Sequence, residues 1–152
     1  MKRFTSFLVV CVLIVGISSG MSVLAADIEQ PVDTVICIEP HASDFLASYA
    51  AWTSRAANGS LRIEFAVNAT RQFQTVGAMQ ITIQARNGNS WSNVSTHFAT
   101  NTNGMRGSNT SAHGGSITHA GTSGREYRAL VTVFAGNVTG DQRVITTNST
   151  VL

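Results

Sequence analysis

Alternation of apolar and polar residues at a period of two constrains this chain more than any other feature. Leu61, Ile63, Phe65, Val67 and Ala69 alternate with Arg62, Glu64, Ala66 and Asn68. Met79, Ile81, Ile83 and Ala85 alternate with Gln80, Thr82, Gln84 and Arg86, and Tyr127, Ala129, Val131 and Val133 share one parity. Successive side chains of a strand point to opposite faces, so each of these segments buries one face and leaves the other to solvent. After the first 26 residues no segment carries the 3.6-residue period of an amphipathic helix.

The remaining strands are read around these three. Ser43 to Arg55 suits a first strand, with Phe45, Tyr49 and Ala51 on one parity and Leu46, Ala50 and Trp52 on the other. Asn58-Gly59 follows it, and both residues tolerate the positive φ of a two-residue hairpin turn. A fourth strand begins at Trp91, and the shift of its apolar positions to Val94 and Phe98 predicts a bulge or an irregular edge. Residues 100 to 115, rich in Asn, Thr, Ser and Gly, are expected to form only a loop, with Ser116 to Ala120 a short fifth strand. The glycine turn Gly121 to Gly124 leads into the sixth strand, Val138 to Asp141 turns the chain, and Gln142 to about Thr147 supply a seventh before a polar tail. Seven short strands at near-regular spacing imply an all-β fold: an antiparallel two-sheet β-sandwich, with a small β-barrel as the alternative.

Tyr127 sits where a tyrosine corner would, its phenol bonding back to the backbone of the turn Gly121 to Gly124. In this respect the chain resembles immunoglobulin-like and fibronectin type III domains. The resemblance is partial, since there is no inter-sheet cysteine pair and Ile81 and Ile83 stand where an antibody domain places tryptophan.

Three regions are expected. Met1-Lys2-Arg3 followed by the apolar run Phe7 to Val15 and the small residues Ser22 to Ala26 read as a signal peptide over residues 1–26; the run is too short for a membrane helix of about 20 residues. Residues 27–42 form an acidic leader, extended or mobile, in which Val35 to Ile38 could add a short strand that Pro40 would stop. Residues 43–152 form the sandwich domain. The formal charge of +2 belongs to the targeting segment: Lys2 and Arg3 leave with it, and the remaining eight basic residues, all arginine, balance eight carboxylates. The expected mature chain therefore has no lysine, which excludes lysine-to-asparagine isopeptide crosslinks. It keeps Cys37 alone, which excludes an intramolecular disulfide. The chain ends without a wall-sorting pattern, so a released or non-covalently held product is expected.

Chemistry-bearing constellations are sparse. Glu64 and Glu126 fall on strands expected in different sheets, and glycoside hydrolysis needs two carboxyl groups about one bond. Glu126 between Arg125 and Arg128 reads as a surface ion pair. His113 and His119 share a parity, but Gly114-Gly115 is expected to break the strand between them, and a catalytic zinc usually has three protein ligands. No Gly-x-Ser-x-Gly elbow or nucleotide-binding glycine loop is present. The arginines read as a scattered soluble surface without an aromatic platform, which argues against nucleic-acid binding. Six Asn-x-Ser/Thr triplets, at Asn58, Asn68, Asn93, Asn109, Asn137 and Asn148, read as compositional coincidence. No enzyme activity, cofactor, metal or stable membrane insertion is expected.

The Asn58-Gly59 hairpin, the stretch Gly104 to Ser111 with His113, and Gly121-Thr-Ser-Gly124-Arg-Glu-Tyr127 together resemble a family of small uncharacterised secreted proteins of Gram-positive bacteria, carried as a domain of unknown function. The resemblance implies a secreted, extracellular compartment and a fold, and brings no activity or site residues. The expected function is a non-catalytic interaction module for a protein or glycan partner. Its binding region would be the loop 100 to 113, where Met105 and Arg106 are the side chains best able to make contact. The alternative is a toxin-like or bacteriocin-like effector with the acidic leader as pro-segment.

Overall fold

The computed structural model describes residues 43–152. The expected signal peptide, the acidic leader with its Val35 to Ile38 segment, and Cys37 lie outside the described residues. Within them the strands are β1 (Leu46–Arg55), β2 (Leu61–Phe73), β3 (Thr75–Asn87), β4 (Ser90–Phe98), β5 (Arg106–Gly107), β6 (Thr110–His119), β7 (Glu126–Gly136), β8 (Gly140–Thr146) and β9 (Thr150–Val151). Two antiparallel sheets result. Sheet A has the order β1-β2-β6; sheet B has the order β4-β3-β7-β8, with β5 added to β3 and β9 to β7. The sheets do not close into a barrel, and the fold is the expected sandwich.

The core is the sum of the alternating inner faces. β2 contributes Leu61, Ile63, Phe65 and Val67, β3 contributes Val76, Ala78, Ile81, Ile83 and Ala85, and β7 contributes Tyr127, Ala129, Val131, Val133 and Ala135. Each fully buried Val, Leu, Ile or Phe stabilises the fold by about 1.5–3 kcal/mol relative to exposure. β2 and β3 are almost one strand, with only Gln74 between Phe73 and Thr75 where the chain passes from sheet A to sheet B.

Three bulges reset the parity. Between Leu46 and Ser48 the β1 register slips, which puts Leu46 on the same buried face as Tyr49 and resolves the two competing parities of that strand. A second slip between Ala78 and Gln80 leaves Met79 outside the alternation and turns Val76 and Ala78 inward. A third falls where the sequence predicts it: Ile83 pairs with Ser95 and Gln84 with Asn93, so Val94 is the extra residue in edge strand β4.

The expected loop over residues 100 to 115 is corrected. β5 and most of β6 lie within it, and β6 runs through Gly114-Gly115 without a break. β5 lies so close to β3 at Gly77 that a Cβ there would stand 2.4 Å from the Met105 carbonyl oxygen, and Gly77 has φ 147°. The tail is corrected too, since Thr150–Val151 pair with β7.

Two polar arrangements hold the sandwich at its rim. The Tyr127 phenol oxygen accepts from the Thr122 N–H at 2.9 Å, the bond back to the glycine turn that the sequence predicts. Between β8 and β9, Asn148 acts as a strand in miniature against β1: its Oδ1 accepts from the Thr53 N–H at 2.8 Å and its Nδ2 donates to the Thr53 carbonyl at 3.0 Å. The Thr53 hydroxyl returns a bond to the Asn148 carbonyl at 2.8 Å. Edge strand β1 of sheet A is thereby sutured to the C-terminal strands of sheet B.

Tyr127→Phe removes the acceptor of a part-buried bond and should lower stability by about 0.5–1.5 kcal/mol; a urea midpoint unchanged from wild type would show that the corner bond does not stabilise the fold. Asn148→Ala orphans the N–H and C=O of Thr53, which is 4% exposed, and should cost about 2 kcal/mol or more. Asn148→Asp, which keeps an acceptor but aims a second oxygen at the Thr53 carbonyl, should not restore the midpoint.

Candidate functional site

The residues singled out in the sequence separate in space. Met105 is 1% exposed and packs in the core, with its Sδ accepting from Asn103 Nδ2 at 3.4 Å. Its expected place as a contact side chain is therefore corrected: an apolar residue beside the close β3–β5 approach fills the core rather than the surface. Arg106 stays half-buried on β5 and donates to Asn101 Oδ1. The segment is pinned rather than open, since Asn103 also donates to the Phe98 carbonyl at 2.8 Å and His113 Nε2 bonds the Gly104 carbonyl at 2.8 Å.

Glu64 and Glu126 lie on β2 and β7, in different sheets. Glu64 accepts from the Trp52 indole at 3.0 Å and pairs with Arg62 at 3.1 Å. Glu126 accepts from the Ser149 hydroxyl instead of forming the arginine pair expected of it. His113 and His119 both lie on β6, on the face turned toward sheet B, and His119 meets the Tyr127 ring edge-on at 6.1 Å between centroids. His97, inward on edge strand β4, is near enough to act on His119 electrostatically. Among the described residues no three His, Cys, Asp or Glu side chains gather to hold a metal.

Sheet A carries a shallow depression of about 200 Å³ over Ala66, Val67, Asn68, Ala112, His113 and Gly114. It exists because Ala66, Ala112 and Gly114 offer little side chain, and Asn68 Nδ2 already donates to the Ser48 hydroxyl at 2.9 Å. The outer face of sheet B is chemically richer. Cross-strand rows place Phe98, Gln80, Thr132 and Val144 side by side, then Thr96, Thr82, Leu130 and Thr146. At its far end lie Asn93, Gln84 and Arg128, with Trp91 opposite Arg86. Phe98 is 63% exposed and Val144 62%.

The Trp91 end corrects the reading of the arginines as a scattered surface without aromatic support. Arg128 lies over the Trp91 ring at 4.4 Å and Arg86 at 5.2 Å. Arg71 and Arg125 stand similarly over Phe73 and Tyr127. No family model, curated protein or solved structure matches the chain. The face is thus read from its own chemistry, which is that of a flat hydroxyl- and amide-bearing surface with exposed apolar groups and a cationic end.

Sequence reasoning misses this face because its members belong to four strands and two parities. Gln84 and Arg86 do fall on the polar parity of the third strand, and the bulge at Val94 hides that Trp91 and Phe98 share its outer side.

Burial first, and then His97, hold the His119 imidazole below its ordinary value. The unfolded chain takes up a proton at His119 near pH 6.5, while the folded chain resists until the pH is lower, so this contribution to stability is lost as pH falls through the folded value. The melting temperature should fall as the pH is lowered from about 7 to below 6.5, and His119→Gln should flatten that part of the profile. An unchanged slope in the variant would assign the loss to another group.

Proposed function

We propose that this chain is an exported, non-catalytic interaction module that works outside the cell or at its surface and meets a protein or glycan partner through the outer face of sheet B. The observation that carries the reading is where the exposed large apolar side chains lie. Val94, Phe98, Val144 and Val151 all belong to strands of sheet B, and Val138 to its β7–β8 turn. Phe98 and Val144 stand in one cross-strand row with Gln80 and Thr132 between them, so the face offers separate apolar groups set among hydroxyls and amides. Rigid strands present this face, so little conformational entropy would be lost on binding. The separation of Glu64 from Glu126 supports a non-catalytic role, because the two cannot flank one scissile bond. Export rests on the basic start, short apolar run and small-residue region of residues 1–26, and the resemblance to secreted Gram-positive proteins is part of the same proposal.

Binding rather than fold should respond to the outer face. Phe98→Ser with Val144→Ser should reduce retention of labelled protein on the envelope of its own cells by about fivefold or more, at an unchanged melting temperature. Ala50→Ser with Ala66→Ser, on the outer face of sheet A, should leave retention as in wild type. Equal retention by the Phe98 and Val144 variant would move the partner to another surface.

A further inference from the structure

The cationic end of sheet B has a construction that a general soluble surface does not require. Arg86 and Arg128 are each held twice: by the Trp91 ring, and through the inner nitrogen of the guanidinium. Arg86 Nε donates to the Gly88 carbonyl at 2.8 Å, and Arg128 Nε donates to Gln84 Oε1 at 2.8 Å. Gln84 is itself buried and fixed, since its Nε2 donates to Asn93 Oδ1 at 2.8 Å. Both guanidinium carbons stand within 5.2 Å of one indole centroid, so two positive charges share a small area.

Neither arginine has an ion-pair partner among the described residues. The salt bridges there join Arg62 to Glu64 and Arg143 to Asp141. The carboxylate best placed by register, Glu126 on β7, turns to Ser149. The terminal nitrogens of Arg86 and Arg128 have no hydrogen-bond partner among the described residues. Guanidinium groups fixed in this way present planar forks of donors, the geometry that takes a carboxylate in two parallel bonds.

The rest of the face selects the kind of molecule that carries the anion. From the Arg86 row to the Gln80 row the strand rises about 20 Å, and over that length Gln80, Asn93, Thr96 and Thr132 offer hydroxyls and amides, with acid confined to Glu126 at the Arg86 end. Phe98 and Val144 then add exposed apolar contacts. Sugar rings fit such a surface, with hydroxyls to the amides and threonines and C–H faces to Phe98. An extended peptide adding as a strand would need an unbroken edge for its main chain, and the β4 edge is interrupted at Val94. A single-stranded nucleic acid would need open rings for its bases, whereas the Trp91 ring is engaged by guanidinium.

We propose that Arg86, Trp91 and Arg128 form the anion-reading end of a glycan site that takes a carboxylate-bearing polysaccharide of the uronic-acid type. This rests on the reading of the outer face of sheet B as the binding face. Arg86 and Arg128 bind the carboxylate; Trp91, Gln84 and the Gly88 carbonyl position them.

The test is calorimetric titration of the protein with oligogalacturonate and with the same oligomer methyl-esterified, which keeps the sugar and removes the charge. The acid form should bind at least about tenfold tighter, with affinity falling as salt is raised. Arg86→Gln, whose wild-type side chain bonds only a turn carbonyl, should lose about tenfold, and Arg86→Gln with Arg128→Gln should bring the acid form to the level of the ester. Arg86→Lys, which keeps the charge and loses the fork, should recover only part of the loss. Melting temperatures identify any variant that fails to fold, and Arg86→Gln then decides alone.

Equal binding of acid and ester would overturn the proposal. So would equal binding of poly-glutamate or a single-stranded oligonucleotide, which would make the site a general polyanion surface, and so would no binding of either sugar. The wider reading stands or falls separately: loss of envelope retention in the Phe98 and Val144 variant keeps the face as the binding face even if oligogalacturonate is not its ligand.

Discussion

Two apolar sheet faces must be held against each other in a domain whose described residues contain no cysteine, and the suture between Asn148 and Thr53 is the constraint on which their registration depends. Hydrophobic burial drives the sheets together but is not directional. The amide of Asn148, paired to both main-chain groups of Thr53, supplies the direction. Around it, Thr147 does the same within sheet B: its hydroxyl accepts from the Ala129 N–H at 2.9 Å and its own N–H donates to the Ala129 carbonyl at 2.9 Å. The strand β8–β9 can thus bulge outward toward β1 without leaving a donor of β7 unpaired. Among the described residues no buried side-chain nitrogen or oxygen lacks a partner, which is the condition under which polar groups at a core's rim give specificity without a desolvation cost.

Much of this fold is legible in the sequence, and the exceptions have physical reasons. β2, β3 and β7 announce themselves because each buries one whole parity, and the Tyr127 corner follows from a glycine turn placed before such a strand. β6 does not, because its inward positions are His113, Gly115, Ile117 and His119, with only one aliphatic residue among them. Gly115 is forced there: a Cβ would stand 2.8 Å from the Phe65 ring and 2.6 Å from the Gly104 carbonyl. The residue that packing demands is therefore the one that sequence reading takes for a break. Met105 misleads in the opposite sense, since a polar, glycine-rich neighbourhood conceals a side chain that the core requires.

The candidate face is less legible than the fold because it is a product of strand order. Trp91, Arg86 and Arg128 become neighbours only once β4, β3 and β7 are placed side by side, and the Val94 bulge removes the local parity signal that would have aligned them. The same bulge interrupts β4, an edge strand, and edges so interrupted are poor templates for pairing with another chain. The free side of sheet B is in this way discouraged from edge-to-edge assembly while its face stays accessible.

The position of the suture along the chain has a consequence for how the domain comes into being. β1 is the earliest strand of the described region, yet its outer edge is fixed by a residue near the last. β7, which organises sheet B through pairings with β3, β8 and β9, is also late in order. Contacts of such long sequence separation form slowly, because chain closure must precede their reward. The domain of residues 43–152 therefore has no stable stopping point until its β7 to β9 strands have been made. In the exported role proposed here, such a delay would keep the polypeptide threadable through a translocation pore and defer its closing to the far side.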